Sequence, residues 1–123
     1  MIVLDTHMWI WFNTADPRLP AQVVDRTPEC VLSVVSVWEL MILVQKGRVQ
    51  TSHEPALTPD RWLERYPFKL LELDYRSVLL SRTLPFSHDD PADRFIAATA
   101  FSHGAALATN DARLRALPWL TTL

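Results

Sequence analysis

Ile2-Val3-Leu4-Asp5-Thr6-His7-Met8-Trp9-Ile10-Trp11-Phe12 changes its period within one short stretch. Three consecutive apolar residues, two of them β-branched, read as a short strand buried on both faces. The run stops at Asp5. Thr6 is then expected to cap a helix that carries Met8, Trp9, Ile10, Trp11 and Phe12, and Asp16-Pro17 breaks that helix. A doubly buried strand that runs straight into a helix is the repeating unit of a parallel sheet with helical crossovers.

The same unit recurs downstream. Leu19 to Val24 reads as a second short helix, and Cys30-Val31-Leu32 as a second strand. Val34, Val37, Trp38, Met41 and Val44 follow at helical spacing, which predicts a helix to about Lys46, terminated at Gly47. Gln50 to Pro59 is polar and proline-containing, hence loop. Thr58-Pro59-Asp60-Arg61 opens a short helix with proline in its first turn. Phe68 to Leu73 reads as a strand, Tyr75 to Leu84 as a helix and Ser87 to Pro91 as a loop. Ala92 to His103 reads as an alanine-rich helix closed by Gly104. Ala106-Leu107-Ala108 is a further strand, a helical turn lies near Arg113, and Trp119-Leu120 is a possible last strand. The expected fold class is α/β, with helices on both faces of a parallel sheet of four to five strands.

The bulk properties agree with one domain over residues 1–123. Half of the chain is apolar, there are nine prolines against two glycines, and no repeat or linker interrupts it. That length buries a core without disulfide or metal staples. The single cysteine, Cys30, sits in an apolar run, which argues against a disulfide framework and fits a reducing, cytoplasmic setting. The first residues carry no basic region of the kind that opens a signal peptide. No apolar run approaches the ~20 residues that span a bilayer, so no membrane association is expected. A net charge of -2 provides no global attraction to nucleic acid. Contact with RNA would need a local basic patch or bound cations.

The chemistry-bearing candidates are acids. Asp5 and Asp111 lie just past strands, and Glu39 and Asp93 lie near the starts of helices. In an open parallel sheet, ligands bind beyond the carboxyl ends of the strands where strand order reverses. Four carboxylates gathered there would repel one another, so ionised acids in one pocket call for a divalent cation. Oxygen-only ligation suits Mg²⁺ or Mn²⁺, and no Cys/His cluster suggests zinc. Each acid also has a local reading. Ser36-Val37-Trp38-Glu39 matches a capping box. In Asp90-Pro91-Ala92-Asp93, Asp90 reads as an N-cap and Asp93 as an acid favoured by the helix dipole. Asp111 could cap the turn Ala112-Arg113-Leu114. Asp5 alone lacks a capping duty if Thr6 serves.

Four segments together carry a family likeness. Ile2-Val3-Leu4-Asp5-Thr6-His7, Ser33 to Leu40, His88 to Ala100 and Leu107-Ala108-Thr109-Asn110-Asp111 resemble, in order and spacing, the segments of PIN-domain proteins, most of all the VapC-type toxins of bacterial toxin–antitoxin pairs. The resemblance implies a three-layer α/β/α sandwich and Mg²⁺- or Mn²⁺-dependent endonucleolytic cleavage of RNA. It places the family's acids at Asp5, Glu39, Asp93 and Asp111, with Asp5, Asp93 and Asp111 as metal ligands. Thr6, Ser36 and Thr109 match supporting polar positions, and Asp90 a cap or supporting residue. Arg94 would pair with an acid or contact phosphate. Asn110 is assigned no role.

The resemblance also implies a cognate antitoxin laid over the active-site groove, and a homodimer. Trp9, Trp11 and Phe12 look too many for one short helix to bury, so part of that face is expected to meet the antitoxin or a second subunit. Lys46, Arg48, Arg61 and Arg65 are candidates for a basic rim, while His7, His53, His88 and His103 read as solvent-facing or structural. Three rivals are weighed. A phosphoacceptor receiver needs paired acids after the first strand and a late lysine, but Asp5 stands alone and no lysine follows Lys69. A haloacid-dehalogenase-type phosphatase needs a second acid two residues after Asp5, where His7 stands. A non-catalytic PIN-like binding module remains as the alternative.

Overall fold

The computed structural model describes residues 1–123. The strands are β1 (Ile2–Leu4), β2 (Cys30–Ser33), β3 (Lys69–Leu71) and β4 (Ala106–Ala108). The helices are α1 (Thr6–Thr14), α2 (Ala21–Asp25), α3 (Val34–Gln45), α4 (Thr58–Arg65), α5 (Tyr75–Thr83), α6 (Pro91–Ser102) and α7 (Ala112–Arg115). Short 3-10 turns cover Thr27–Glu29 and Pro55–Leu57, the latter inside the segment expected to be loop. All strand pairs are parallel, in the order β3-β2-β1-β4. The chain therefore builds outward from β1 to β3, then returns to add β4 on the other side of β1. That reversal opens a crevice beyond the carboxyl ends of β1 and β4.

The period-2 pleat explains the apolar run of β1. Ile2 and Leu4 join one buried cluster with Trp9, Phe12, Leu32, Leu40 and Trp62. Val3 points the other way, into a cluster with Val31, Ile96, Leu107 and Leu114. All three β1 residues are fully buried, as a central strand covered on both faces requires. Cys30 is buried and its thiol is pushed up to about 11 by burial, so it behaves as an inert core side chain. No helix is long and apolar enough to cross a membrane.

Four expectations need correction. The first concerns caps. Asp5, not Thr6, is the N-cap of α1, its Oδ1 accepting from the Met8 N–H at 2.8 Å. Likewise Ser33 caps α3, its hydroxyl accepting from the Val35 N–H at 3.1 Å. The helix thus starts at the end of β2, Ser36 and Glu39 fall inside it, and the Ser36–Glu39 capping box does not form. The second concerns the tail. Trp119-Leu120 is not a strand; only an isolated bridge pairs Thr122 with Leu107. Pro118 lacks an N–H, and the Leu120 N–H turns back to the Leu117 carbonyl at 3.2 Å.

The third concerns the aromatics of α1. Trp9, Trp11 and Phe12 are all buried. Residues of α4 and of the link from α4 to β3 supply partners for two of them: Trp62 meets Trp9 edge-on at 5.4 Å, and Tyr66 and Phe68 flank Phe12 at 5.3 and 5.2 Å. A helix this apolar is largely enclosed by its own domain, and of the three aromatics only Trp11 also lines the groove beside the acids. The fourth concerns the basic rim. Arg61 pairs with Glu64, and Arg65 donates to the Asn13 carbonyl. Of the four residues named, only Arg48 lines a groove next to the acids, where Arg18, stacked over Trp11, joins it.

Candidate active site

At the crevice beyond β1 and β4 lies a cavity of about 280 Å³. Asp5 enters it from the end of β1, Glu39 from α3, Asp93 from α6 and Asp111 from the turn after β4. All four acids anticipated from the sequence therefore line one volume. Thr6 and Asp90 line it as well. Ser36 and Thr109 are buried among the residues that carry it. Arg94 does not reach it. Its guanidinium donates to the Ser81 and His88 carbonyls at 2.7 and 3.2 Å and lies over the Phe86 ring, so it braces the segment leading to α6.

Local geometry explains why each acid is held. Asp5 is fixed by capping α1. The Thr109 hydroxyl accepts from the Asp111 N–H at 3.1 Å and hydrogen-bonds the Asp5 carboxylate, so one hydroxyl ties the ends of β1 and β4 together. The Thr6 hydroxyl donates to the Ser36 hydroxyl at 3.0 Å, which ties α1 to α3 beside Glu39. Asp90 caps α6 through Oδ1, which accepts from the Asp93 N–H at 3.3 Å. This places Asp93 in the first turn, beside the positive end of the helix.

Burial and mutual repulsion dominate the electrostatics. Burial raises Asp5 and Glu39 above the usual carboxylate range, against the hydrogen bonds that oppose it. Asp93 is pushed up to about 7, first by burial and then by the carboxylates of Asp90, Glu39, Asp111 and Asp5. Asp111 goes the other way, held low by the guanidinium of Arg113. A cluster in which one acid retains its proton near neutrality is short of positive charge. The donor set is hard oxygen throughout, which fits Mg²⁺ or Mn²⁺. No three of the acids converge on one coordination point with the side chains as they lie. Arg113 stands between two of them.

Sequence reasoning missed three lining residues: His7, Asn110 and Arg113. His7 and Asn110 each sit beside an acid after a strand, and that adjacency was the available signal. Arg113 reads locally as a helix-turn residue. His88, one of the histidines expected to be solvent-facing or structural, is mostly shielded from solvent. Its Nδ1 accepts from the Asp90 N–H at 3.2 Å, which leaves the proton on Nε2, 3.6 Å from the Asp93 carboxylate. The cavity continues into an open groove that shares His7, Trp11, Glu39 and Asp90 as walls and carries Arg48 and Arg18 further out.

Comparison with known proteins agrees with this architecture. The family model "PIN domain" matches residues 2–120. The chain is 32% identical over 120 residues to Ribonuclease VapC22 of Mycobacterium tuberculosis, covering 93% of this chain and 89% of that protein. Its fold matches a chain of VapBC2 from Rickettsia felis, solved bound to a promoter DNA fragment, with a TM-score of 0.74 at 18% identity, covering 100% of this chain and 98% of that one. It also matches VapBC from Salmonella typhimurium bound to DNA, at 0.71 and 19%, covering 99% and 96%. FitAcB from Neisseria gonorrhoeae matches at 0.69 and 21%, covering 100% and 96%.

Proposed function

This chain belongs to the PIN domain family, and on that footing we propose that it is a divalent-metal-dependent endoribonuclease, the toxin of a toxin–antitoxin pair. The observation that carries the reading is the meeting of Asp5, Glu39, Asp93 and Asp111 in one cavity at the sheet's switch point. The four come from separate segments, and the capping roles of Asp5 and Asp111 do not explain why all four share a volume. The ribonuclease relative supports hydrolysis of RNA as the activity.

In this mechanism Asp5, Asp93 and Asp111 hold the cation, Mg²⁺ or Mn²⁺. When bound, it lowers the pKa of water and neutralises charge that develops on the phosphodiester. Glu39 orients the attacking water and takes its proton; burial raises its carboxyl above the ordinary value. Thr109 keeps Asp5 aimed inward. His88 faces Asp93 from behind. A single RNA strand leaves the cavity along the adjoining groove, past Trp11 toward Arg48.

Partner binding belongs to the same proposal. The solved relatives are toxin–antitoxin complexes, which supports an antitoxin partner for this chain. A homodimer is supported by apolar surface away from the acids. Trp38 is 51% exposed and Tyr75 82%, with Val78 and Leu79 beside it on α5. A hollow lined by Val34, Val35, Trp38, Leu73 and Phe95 is wholly apolar.

Asp5→Asn tests the activity cleanly, because asparagine still caps a helix. The variant should fold and should lose cleavage of RNA by at least ~100-fold, and EDTA should silence the unmodified protein. A folded Asp5→Asn protein that cuts at the normal rate, or cleavage that persists in EDTA, overturns the proposal.

A further inference from the structure

We propose that Arg113 is the internal counter-ion of the acid cavity, which a divalent cation must displace, so that this one side chain sets the cavity's affinity for the cation. The inference rests on the metal-dependent reading above and goes beyond it.

The contacts are specific. Asp111 caps α7, and Arg113 lies two residues further on. Its backbone N–H donates to Asp111 Oδ1 at 2.8 Å, its Nε to the same oxygen at 3.3 Å, and its Nη2 to Oδ2 at 3.0 Å. The same Nη2 is 3.7 Å from Asp93 Oδ2. One guanidinium therefore grips one proposed ligand with a two-pronged fork and reaches the other. Its side chain makes no other hydrogen bond or ion pair, and it is 55% exposed. Arg115 offers the contrast: it donates to the Thr109 and Leu123 carbonyls and ties down the tail. Arg115 holds backbone; Arg113 holds only carboxylates.

An arginine in this position cannot be neutralised by losing a proton. A dication coordinated by Asp93 and Asp111 would lie within a few ångströms of the guanidinium, and like charges at that separation repel strongly when partly shielded from water. Both cannot keep the same oxygens. Arg113 is the one free to move, since its arm opens to solvent and nothing else anchors it. Release of the fork would leave the Asp111 carboxylate held only by its cap bond from the Arg113 N–H, and so freer to turn toward Asp93.

The test is Mn²⁺ titration of the full chain by calorimetry, with far-UV circular dichroism to establish folding. Four proteins are compared: unmodified, Arg113→Ala, Arg113→Lys, and Arg61→Ala as a control for net charge away from the cavity. Arg113→Ala should bind Mn²⁺ about 5-fold more tightly, the scale of a partly exposed ion pair no longer broken on binding. Arg113→Lys should stay near the unmodified affinity, and Arg61→Ala should match it. The sign discriminates, because an arginine that merely shaped the site would weaken binding when removed. Equal or weaker binding by folded Arg113→Ala overturns the inference and leaves the nuclease reading standing. Failure of every protein to bind Mn²⁺ overturns both.

Discussion

Replacing Asp93 with asparagine should stabilise the metal-free protein, and by more near pH 8 than near pH 5. Burial, followed by the carboxylates of Asp90, Glu39, Asp111 and Asp5, raises the Asp93 carboxyl from 3.8 to about 7. The folded protein therefore holds a proton that the unfolded chain has already released between those two values. Stability falls across that window as pH rises, by about 1.4 kcal/mol per pH unit, and levels off above it. The full window is worth about 4 kcal/mol, an upper bound for a side chain that keeps some contact with water. Below the unfolded value the effect vanishes; at pH 5, 1.2 units above it, the folded state still holds the proton that the unfolded chain has lost, and the parent is already down by up to about 1.6 kcal/mol. Asp5 and Glu39 shift in the same direction but remain in both proteins, so the difference between variant and parent isolates Asp93. Urea unfolding in EDTA at four pH values between 5 and 8 measures it. The variant's advantage should grow from at most about 1.6 kcal/mol at pH 5 to about 2–4 kcal/mol above pH 7. Parallel pH profiles, or a variant less stable near pH 8, would refute the claim that Asp93 is held in an environment short of positive charge. Added Mg²⁺ should reverse the order, since the cation supplies to the parent what asparagine cannot use.

Phe12→Ala removes a ring enclosed by Tyr66 and Phe68 and should cost about 3–5 kcal/mol in urea unfolding; a loss under about 1 kcal/mol would contradict its place in the core. Ala15 closes α1 in a left-handed conformation at φ 50°, which disfavours any side chain. Ala15→Gly should stabilise the protein by about 1 kcal/mol and raise Tm by about 3–5 °C, and an unchanged Tm would show that the turn carries no strain. Arg94→Ala strips two carbonyls of a charged donor and uncovers Phe86. It should cost about 2 kcal/mol and speed amide exchange between Ser87 and Asp90; unchanged exchange there would show that Arg94 does not brace the segment.

Periodicity alone was enough for the architecture. Ile2-Val3-Leu4 had to be buried on both faces, and a doubly buried strand feeding a helix leaves few alternatives to a parallel sheet with helices above and below. Asp5 and Asp111 were legible because each stands where a strand gives way to a helix, where an open sheet places its ligands; Glu39 and Asp93 were legible from the family resemblance. Choices between near neighbours were not legible. Ser33 and Ser36 are equally good caps in isolation, and only the point at which β2 stops pairing with β3 gave the duty to Ser33. Trp9, Trp11 and Phe12 looked too numerous to bury until α4 and the link after it brought Trp62, Tyr66 and Phe68 against Trp9 and Phe12, and Arg18 came over Trp11. The grip of Arg113 on Asp111 spans two residues, but its reach to Asp93 spans the fold, and the raised carboxyl of Asp93 depends on charges from every side of the cavity. Local patterns follow from backbone geometry, which repeats along the chain. Charge and packing act through space, so their outcome exists only once distant segments have met.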